Sequence, residues 1–203
     1  MKKQFVFSLL AAMLLVLAGV VMAGTGKSAD GTMAPAIGAT IEDFSLPDTD
    51  GKSHTLSSLK GKNGAVVIFI SVNCPISNGY NERMQKLAED YAARGINIIG
   101  INANNNESAD AVKAHAAEKH LSFAVLKDPN NKVADLLGAQ HTPEAYYLDS
   151  NNRLLYHGRI DNSVKPDKVE SNDLREALDQ ALAGKPVQKP TSLAFGCSIK
   201  RVS

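Results

Sequence analysis

The chain has 203 residues, 44% of them hydrophobic, with 22 basic and 21 acidic side chains and a formal net charge of +1. That length suits one domain with an ordinary buried core. The near-neutral balance and the absence of a polybasic run argue against a nucleic-acid partner and against binding to anionic lipid surfaces.

Lys2 and Lys3 precede an apolar run from Phe5 to Val21, and Val21-Met22-Ala23 offers compact residues of the kind a signal peptidase reads. The pattern predicts a secretory signal peptide over 1–23 and hence an exported, periplasmic or extracellular protein. Left uncleaved, the same segment would be a membrane anchor, although it is marginal against the roughly 20 apolar residues of a spanning helix. Residues 24–37 are small, polar and rich in Gly and Ala, which predicts a flexible linker. A single domain is expected over 38–183, followed by a C-terminal tail over 184–203.

Phe44 to Leu56 carries the turn signal Asp50-Gly51 between short apolar pieces, which predicts a β-hairpin. Ala65 to Ser71 is a continuous apolar run rich in β-branched residues, as expected of a strand buried on both faces. Met84, Leu87, Ala88 and Tyr91 recur at helical spacing over Asn81 to Ala93, and Gly95 follows as a terminator. Ile96 to Asn102 predicts a second buried strand. Ser108 is placed to cap a helix running to about Lys119. A short strand at Phe123 to Leu126 and a short helix at Asn131 to Leu137 follow. Two strands, Ala145 to Leu148 and Leu154 to His157, flank a polar turn. Asp173 is expected to cap a last helix with Leu174, Ala177, Leu178 and Leu182 on one face. The order predicts an α/β fold with a mixed central sheet and helices on both faces. The tail has no clear period.

The chain has only two cysteines, Cys74 and Cys197. Two cysteines cannot make a zinc site alone, and His54, His115, His120, His141 and His157 are scattered rather than set at ligand spacing, so no metal and no cofactor is expected. Cys74 lies where a buried strand ends and a helix begins. Free N–H groups and the positive end of the helix dipole stabilise a thiolate there and lower its pKa. Pro75 suits the first helical position. The competing reading is an inert buried cysteine. Cys74-Pro75-Ile76-Ser77 has the form of a C-x-x-C motif with serine in place of its second cysteine, so it lacks the local sulfur that resolves a mixed disulfide. Ser71, Asn73 and Ser77 are polar neighbours able either to hydrogen-bond the thiolate or to cap backbone. Thr142-Pro143 precedes a central strand and is either a cis peptide or a plain turn. Cys197 is open to three readings: a resolving thiol, a permanent staple for the tail, or a partner for another protein's thiol.

Asn73-Cys74-Pro75, Thr142-Pro143, Gly158-Arg-Ile-Asp161, Asp173-Leu-Arg-Glu-Ala177, Gly184-Lys-Pro-Val187 and Gly196-Cys-Ser-Ile-Lys200 resemble the thioredoxin-like superfamily, and within it the peroxiredoxin-like branch of redoxin proteins. The likeness runs from about Ala39 to Lys200. It implies a thioredoxin fold, a cis Thr142-Pro143 peptide facing the thiol, and thiol redox chemistry with Cys74 in the place of the reactive cysteine; the oxidised Cys74 would then be resolved either by Cys197 or by an external thiol. Its partners would be a peroxide or a thiol–disulfide substrate and an external thiol reductant. Departures are visible too. Val67 stands where peroxiredoxins carry a proline, Ser71 where they usually carry threonine, and no arginine accompanies Pro143. That lowers the expectation of peroxidase activity unless Arg159 substitutes. The alternative function is a non-catalytic binding module whose Cys74–Cys197 disulfide is structural.

Overall fold

In the computed structural model, residues 33–202 are described. The signal-peptide pattern and most of the linker expected over 24–37 lie outside them.

The hairpin forms from β1 (Ser45–Pro47) and β2 (Ser53–Thr55). Its turn is tied by the Asp48 carboxylate, which accepts from the N–H groups of Asp50 and Lys52. A one-turn helix, α1 (Leu56–Leu59), is closed by a capping box between Thr55 and Ser58. The central sheet holds β3 (Ala65–Phe69), β4 (Asn97–Asn102), β5 (Ala124–Lys127), β7 (Glu144–Leu148) and β8 (Leu154–Gly158) in the order β5-β4-β3-β7-β8. The β3–β4 and β4–β5 pairs are parallel, and β3–β7 and β7–β8 antiparallel. Every residue of β3 is buried, as its unbroken apolar run requires of a central strand.

Alternate residues of β3 feed two cores. Val66 and Ile68 join Met84, Leu87 and Tyr91 of α3 (Asn81–Ala92), Val112 of α4 (Ala109–Glu118), and Leu174, Ala177 and Leu178 of α6 (Asp173–Leu182). Val67 and Phe69 join Leu56 and, from α5 (Lys132–Leu137), Val133, Ala134 and Leu137 on the other face. The expected mixed sheet between helix layers is present, and with it the thioredoxin fold.

Two local expectations change. The N-cap of α6 is Asn172 rather than Asp173; Asp173 is the first helical residue and its carboxylate is held by Arg159, Lys189 and Ser171 instead. The tail, which shows no clear period in the sequence, is nonetheless tied to the domain at several points. The His157 N–H donates to the Pro190 carbonyl and the Ser192 N–H to the His157 carbonyl, which covers the outer edge of β8. Further on, β9 (Cys197–Ser198) pairs antiparallel with β6 (His141–Thr142). Ile199 then enters the core beneath α5.

Candidate active site

Cys74 is the N-cap of α2 (Pro75–Asn78), with Pro75 in the first turn. The Ser77 N–H points at the Cys74 sulfur, 3.3 Å away, so one free donor of the helix start faces that atom. The Ser77 hydroxyl turns away and accepts from the Ser71 N–H at 3.1 Å. The Thr142 carbonyl oxygen lies 3.3 Å from the same sulfur, at the cis Thr142-Pro143 peptide. Cys74 and Cys197 form a disulfide with a Cα–Cα distance of 5.9 Å across 123 residues of sequence. The β6–β9 pairing sets Cys197 directly opposite Thr142, and so brings it to Cys74. Gly196 makes this approach feasible: a Cβ there would sit 2.0 Å from the Thr142 carbonyl oxygen.

Behind the cysteine lies a residue that the sequence reading missed. Glu107 is 3% exposed, and its carboxylate accepts from the Ser71 hydroxyl (2.7 Å), the Asn73 N–H (2.9 Å), the Val72 N–H (3.0 Å) and the amides of Asn102 (2.5 Å) and Asn104 (3.3 Å). Burial alone would raise its pKa, but these donors outweigh it and hold the carboxyl below its ordinary value. Ser71 passes the link on, since its oxygen accepts the Cys74 N–H at 3.1 Å. Lys127 is buried beside the same asparagines, donating to Asn102 Oδ1 and the Asn104 carbonyl at 2.6 Å, and burial lowers its pKa. The detectable signal was Asn102-Ala-Asn-Asn-Asn-Glu107, a polar run directly after a buried strand, whose groups need partners if buried.

A cleft of about 190 Å³ opens beside the disulfide, lined by the polar residues Ser71, Asn73, Asn104, Asn106, Glu107 and Lys200 as well as both cysteines. A larger cavity of about 320 Å³, near Leu59, Ala92 and Phe123, contains none of the predicted site residues. Among the described residues, no group of three or more His, Cys, Asp or Glu side chains is arranged to hold a metal ion.

The AhpC/TSA family model matches residues 37–157. The chain belongs to the AhpC/TSA family. It is 30% identical over 151 residues to a chloroplastic peroxiredoxin Q of Suaeda salsa, covering 70% of this chain and 64% of that protein. It is 31% identical over 132 residues to the thiol-disulfide oxidoreductase ResA of Halalkalibacterium halodurans, covering 65% and 69%. The structure of a hypothetical protein from Sinorhizobium meliloti 1021 superposes with a TM-score of 0.76 at 34% identity, over 84% of this chain and 97% of that one. Fold, family and cysteine pair place the chain among thiol-dependent oxidoreductases of the redoxin type.

Within the AhpC/TSA frame, the departures noted in the sequence now have positions. Val67 is a mid-strand residue of β3, paired with Ile99 and Tyr146. Arg159 is committed elsewhere, its Nε donating to Asp173 at 2.8 Å. Ser71 spends its hydroxyl proton on Glu107. The cation lining the cleft, among the described residues, is Lys200. A second unforeseen group is Glu144, just after the cis peptide. It is buried and accepts from the N–H groups of Gln140 and His141, both at 2.8 Å, and from the Tyr146 hydroxyl, and it pairs with His157 at 2.6 Å. Burial opposes its ionisation, but these partners hold its pKa below the ordinary value. It braces the short β6 strand against which Cys197 docks.

Proposed function

We propose that this chain is an exported thiol–disulfide oxidoreductase that cycles between a Cys74/Cys197 dithiol and the Cys74–Cys197 disulfide. The observation that carries this reading is the docking of Cys197 by β6–β9 pairing onto the sulfur at the start of α2. In the reduced protein Cys74 is the nucleophile, favoured as a thiolate by the Ser77 N–H. It attacks a substrate disulfide, forms a mixed disulfide and expels one substrate thiolate. Cys197 then attacks the Cys74 sulfur, releases the second substrate thiol and closes the internal disulfide, replacing the second cysteine that Ser77 lacks. External thiols return the two electrons. Thr142 and Pro143 shape the wall opposite the sulfur, and Ser71 and Asn73 hold the loop before it through Glu107.

Peroxide is the less favoured oxidant. Cys74 would become a sulfenic acid, and Cys197 would displace water from it. Among the described residues the cation lining the cleft is Lys200, whose ammonium lacks the planar fork of the peroxiredoxin arginine, and the Ser71 hydroxyl proton is already committed to Glu107. Export rests on the sequence pattern of residues 1–23.

A redox titration in thiol–disulfide buffers, quenched by alkylation, tests the cycle. The expected midpoint lies above about −300 mV, since disulfides that serve only structure generally lie below it. A disulfide that stays fully oxidised at that poise would mark Cys74–Cys197 as a staple and the chain as a binding module. Peroxide consumption that outpaces small-disulfide reduction would reverse the preferred substrate.

A further inference from the structure

The groove beside the cis Thr142-Pro143 peptide is a strand edge, and an unpaired edge takes up an extended segment by backbone pairing. Here that edge is filled from within. β9 pairs with β6, and Gly196 packs against the Thr142 carbonyl too closely to admit a side chain. The disulfide is not the only thing holding β9 in place. Ile199 is 7% exposed in the core, and its N–H donates to the Gln140 carbonyl at 2.9 Å. The Lys200 N–H donates to Asn104 Oδ1 at 2.7 Å, the Asn105 N–H to the Lys200 carbonyl at 2.8 Å, and the Val202 N–H to Asn131 Oδ1 at 2.8 Å. Breaking the S–S bond removes none of these contacts. Among the described residues, a cleft of about 190 Å³ beside the disulfide gives a route to the sulfurs. Both cysteines line that cleft, but Cys74 is 2% exposed whereas Cys197 is only half-buried.

We infer that the tail permanently occupies the protein-docking groove, so that the chain exchanges electrons with small polar thiols and disulfides through this cleft rather than with extended protein segments. The inference rests on the redox reading above and names its substrate class. In the reducing half-cycle a small thiolate attacks the Cys197 sulfur. A bond forms between the two sulfurs, the Cys74–Cys197 bond breaks, and Cys74 leaves as a thiolate facing the Ser77 N–H. A second thiolate attacks the external sulfur of the mixed disulfide. The small disulfide departs, Cys197 leaves as a thiolate that takes up a proton, and two electrons have entered the protein.

The test compares two reductants of the oxidised full chain at equal thiolate concentration: 2-mercaptoethanol and an unstructured twelve-residue peptide bearing one cysteine. Each rate is divided by that reductant's rate with hydroxyethyl disulfide, which removes intrinsic reactivity. The normalised rate for mercaptoethanol is expected to exceed that for the peptide by more than about fivefold, and acid-quenched peptide maps should place the first mercaptoethanol adduct on Cys197. A smaller ratio, or a first adduct mainly on Cys74, overturns the inference. If millimolar thiol of neither kind opens the disulfide, the redox reading itself has failed and this inference with it. Ile199→Ala, which loosens the tail, should narrow the gap between the two reductants. A gap unchanged in a folded Ile199→Ala protein also counts against a groove filled by the tail.

Discussion

Glu107→Gln tests the network behind Cys74. The carboxylate serves two groups of donors: Oε1 accepts from the Ser71 hydroxyl and the Asn73 N–H, and Oε2 from the Val72 N–H and the two asparagine amides. A glutamine must aim its own N–H groups at one of these sets. The less costly choice faces Ser71, whose hydroxyl can rotate to accept, and Asn73, whose backbone N–H cannot. One backbone donor then loses its acceptor, and the remaining bonds go to a neutral oxygen rather than a charged one. An orphaned buried donor costs about 1–3 kcal/mol, and a bond to a charged group is worth about 1 kcal/mol more than a neutral one. Partial access of water to Asn73 trims the first figure, so the expected loss at pH 7 is about 2–4 kcal/mol. Buried Lys127 adds to it in direction, because Glu107 is among the charges that favour its protonated form.

Urea unfolding checks this, read as a lower midpoint at unchanged slope. The pH dependence supplies a second, independent signature. The folded pKa of Glu107 is depressed below its ordinary 4.5, so its contribution is complete above that value and is lost as pH falls through the folded pKa. A protonated glutamate resembles glutamine, so the gap between wild type and variant should hold from pH 7 to about 5 and close below 4.5. A difference under about 0.5 kcal/mol at pH 7, the ordinary range of a surface substitution, would show that the five donors gain little from the carboxylate. A gap that persists at the lowest pH where both proteins fold would show that its charge is not what matters.

Two further outcomes follow from the geometry. Gly196→Ala places a methyl group 2.0 Å from the Thr142 carbonyl oxygen, so β9 must shift away from β6; the cost is about 1–3 kcal/mol, and reclosure of the Cys74–Cys197 disulfide after reduction should slow at least tenfold in alkylation-quench assays. Reclosure at the wild-type rate would mean that β6–β9 pairing does not position Cys197. Asp173 is buried, which alone would raise its pKa, but Arg159, Lys189 and Ser171 hold it down to about 2, so its stabilisation is complete above 3.8 and lost as pH falls towards 2. Asp173→Asn should therefore lower stability at pH 7 by about 2 kcal/mol or more, and flatten the acid limb of the unfolding profile.

The sheet was legible because its signals are local. The short, unbroken run from Ala65 to Phe69, rich in β-branched residues, points to a strand covered on both sides, and the spacing of Met84, Leu87 and Tyr91 points to a helix with one buried face. Cys74 was legible for the same reason, since a strand end, a proline and a helix start are adjacent in the sequence. What stayed hidden depends on distant partners. β6 and β9 have two residues each, too few for any periodicity, and each exists because the other is there. Arg159 carried no sign of whether it faced the thiol or Asp173. Glu107 looked like one more charge in a polar loop, because the donors that make it a buried anchor come from β4, from the loop before Cys74 and from its own loop.

Gly196-Cys-Ser-Ile-Lys200 joins the two cases. In the sequence it was only a point of resemblance, with Cys197 left open between resolving, stapling and pairing with another protein. In the fold each of its residues has a separate physical reason. Gly196 permits the approach to Thr142, Cys197 meets Cys74, and Ser198 completes the pairing with His141. Ile199 is the core anchor, and the Lys200 backbone ties the segment to Asn104 and Asn105. A segment needed only to staple the tail could rely on the covalent bond, because closing a loop of 123 residues restricts the unfolded chain by an amount worth about 4–5 kcal/mol. Anchors on both sides of Cys197 add something a permanent bond does not need: they keep the sulfur in place while the bond is open. That placement suits a resolving cysteine and supports the redox cycle proposed above.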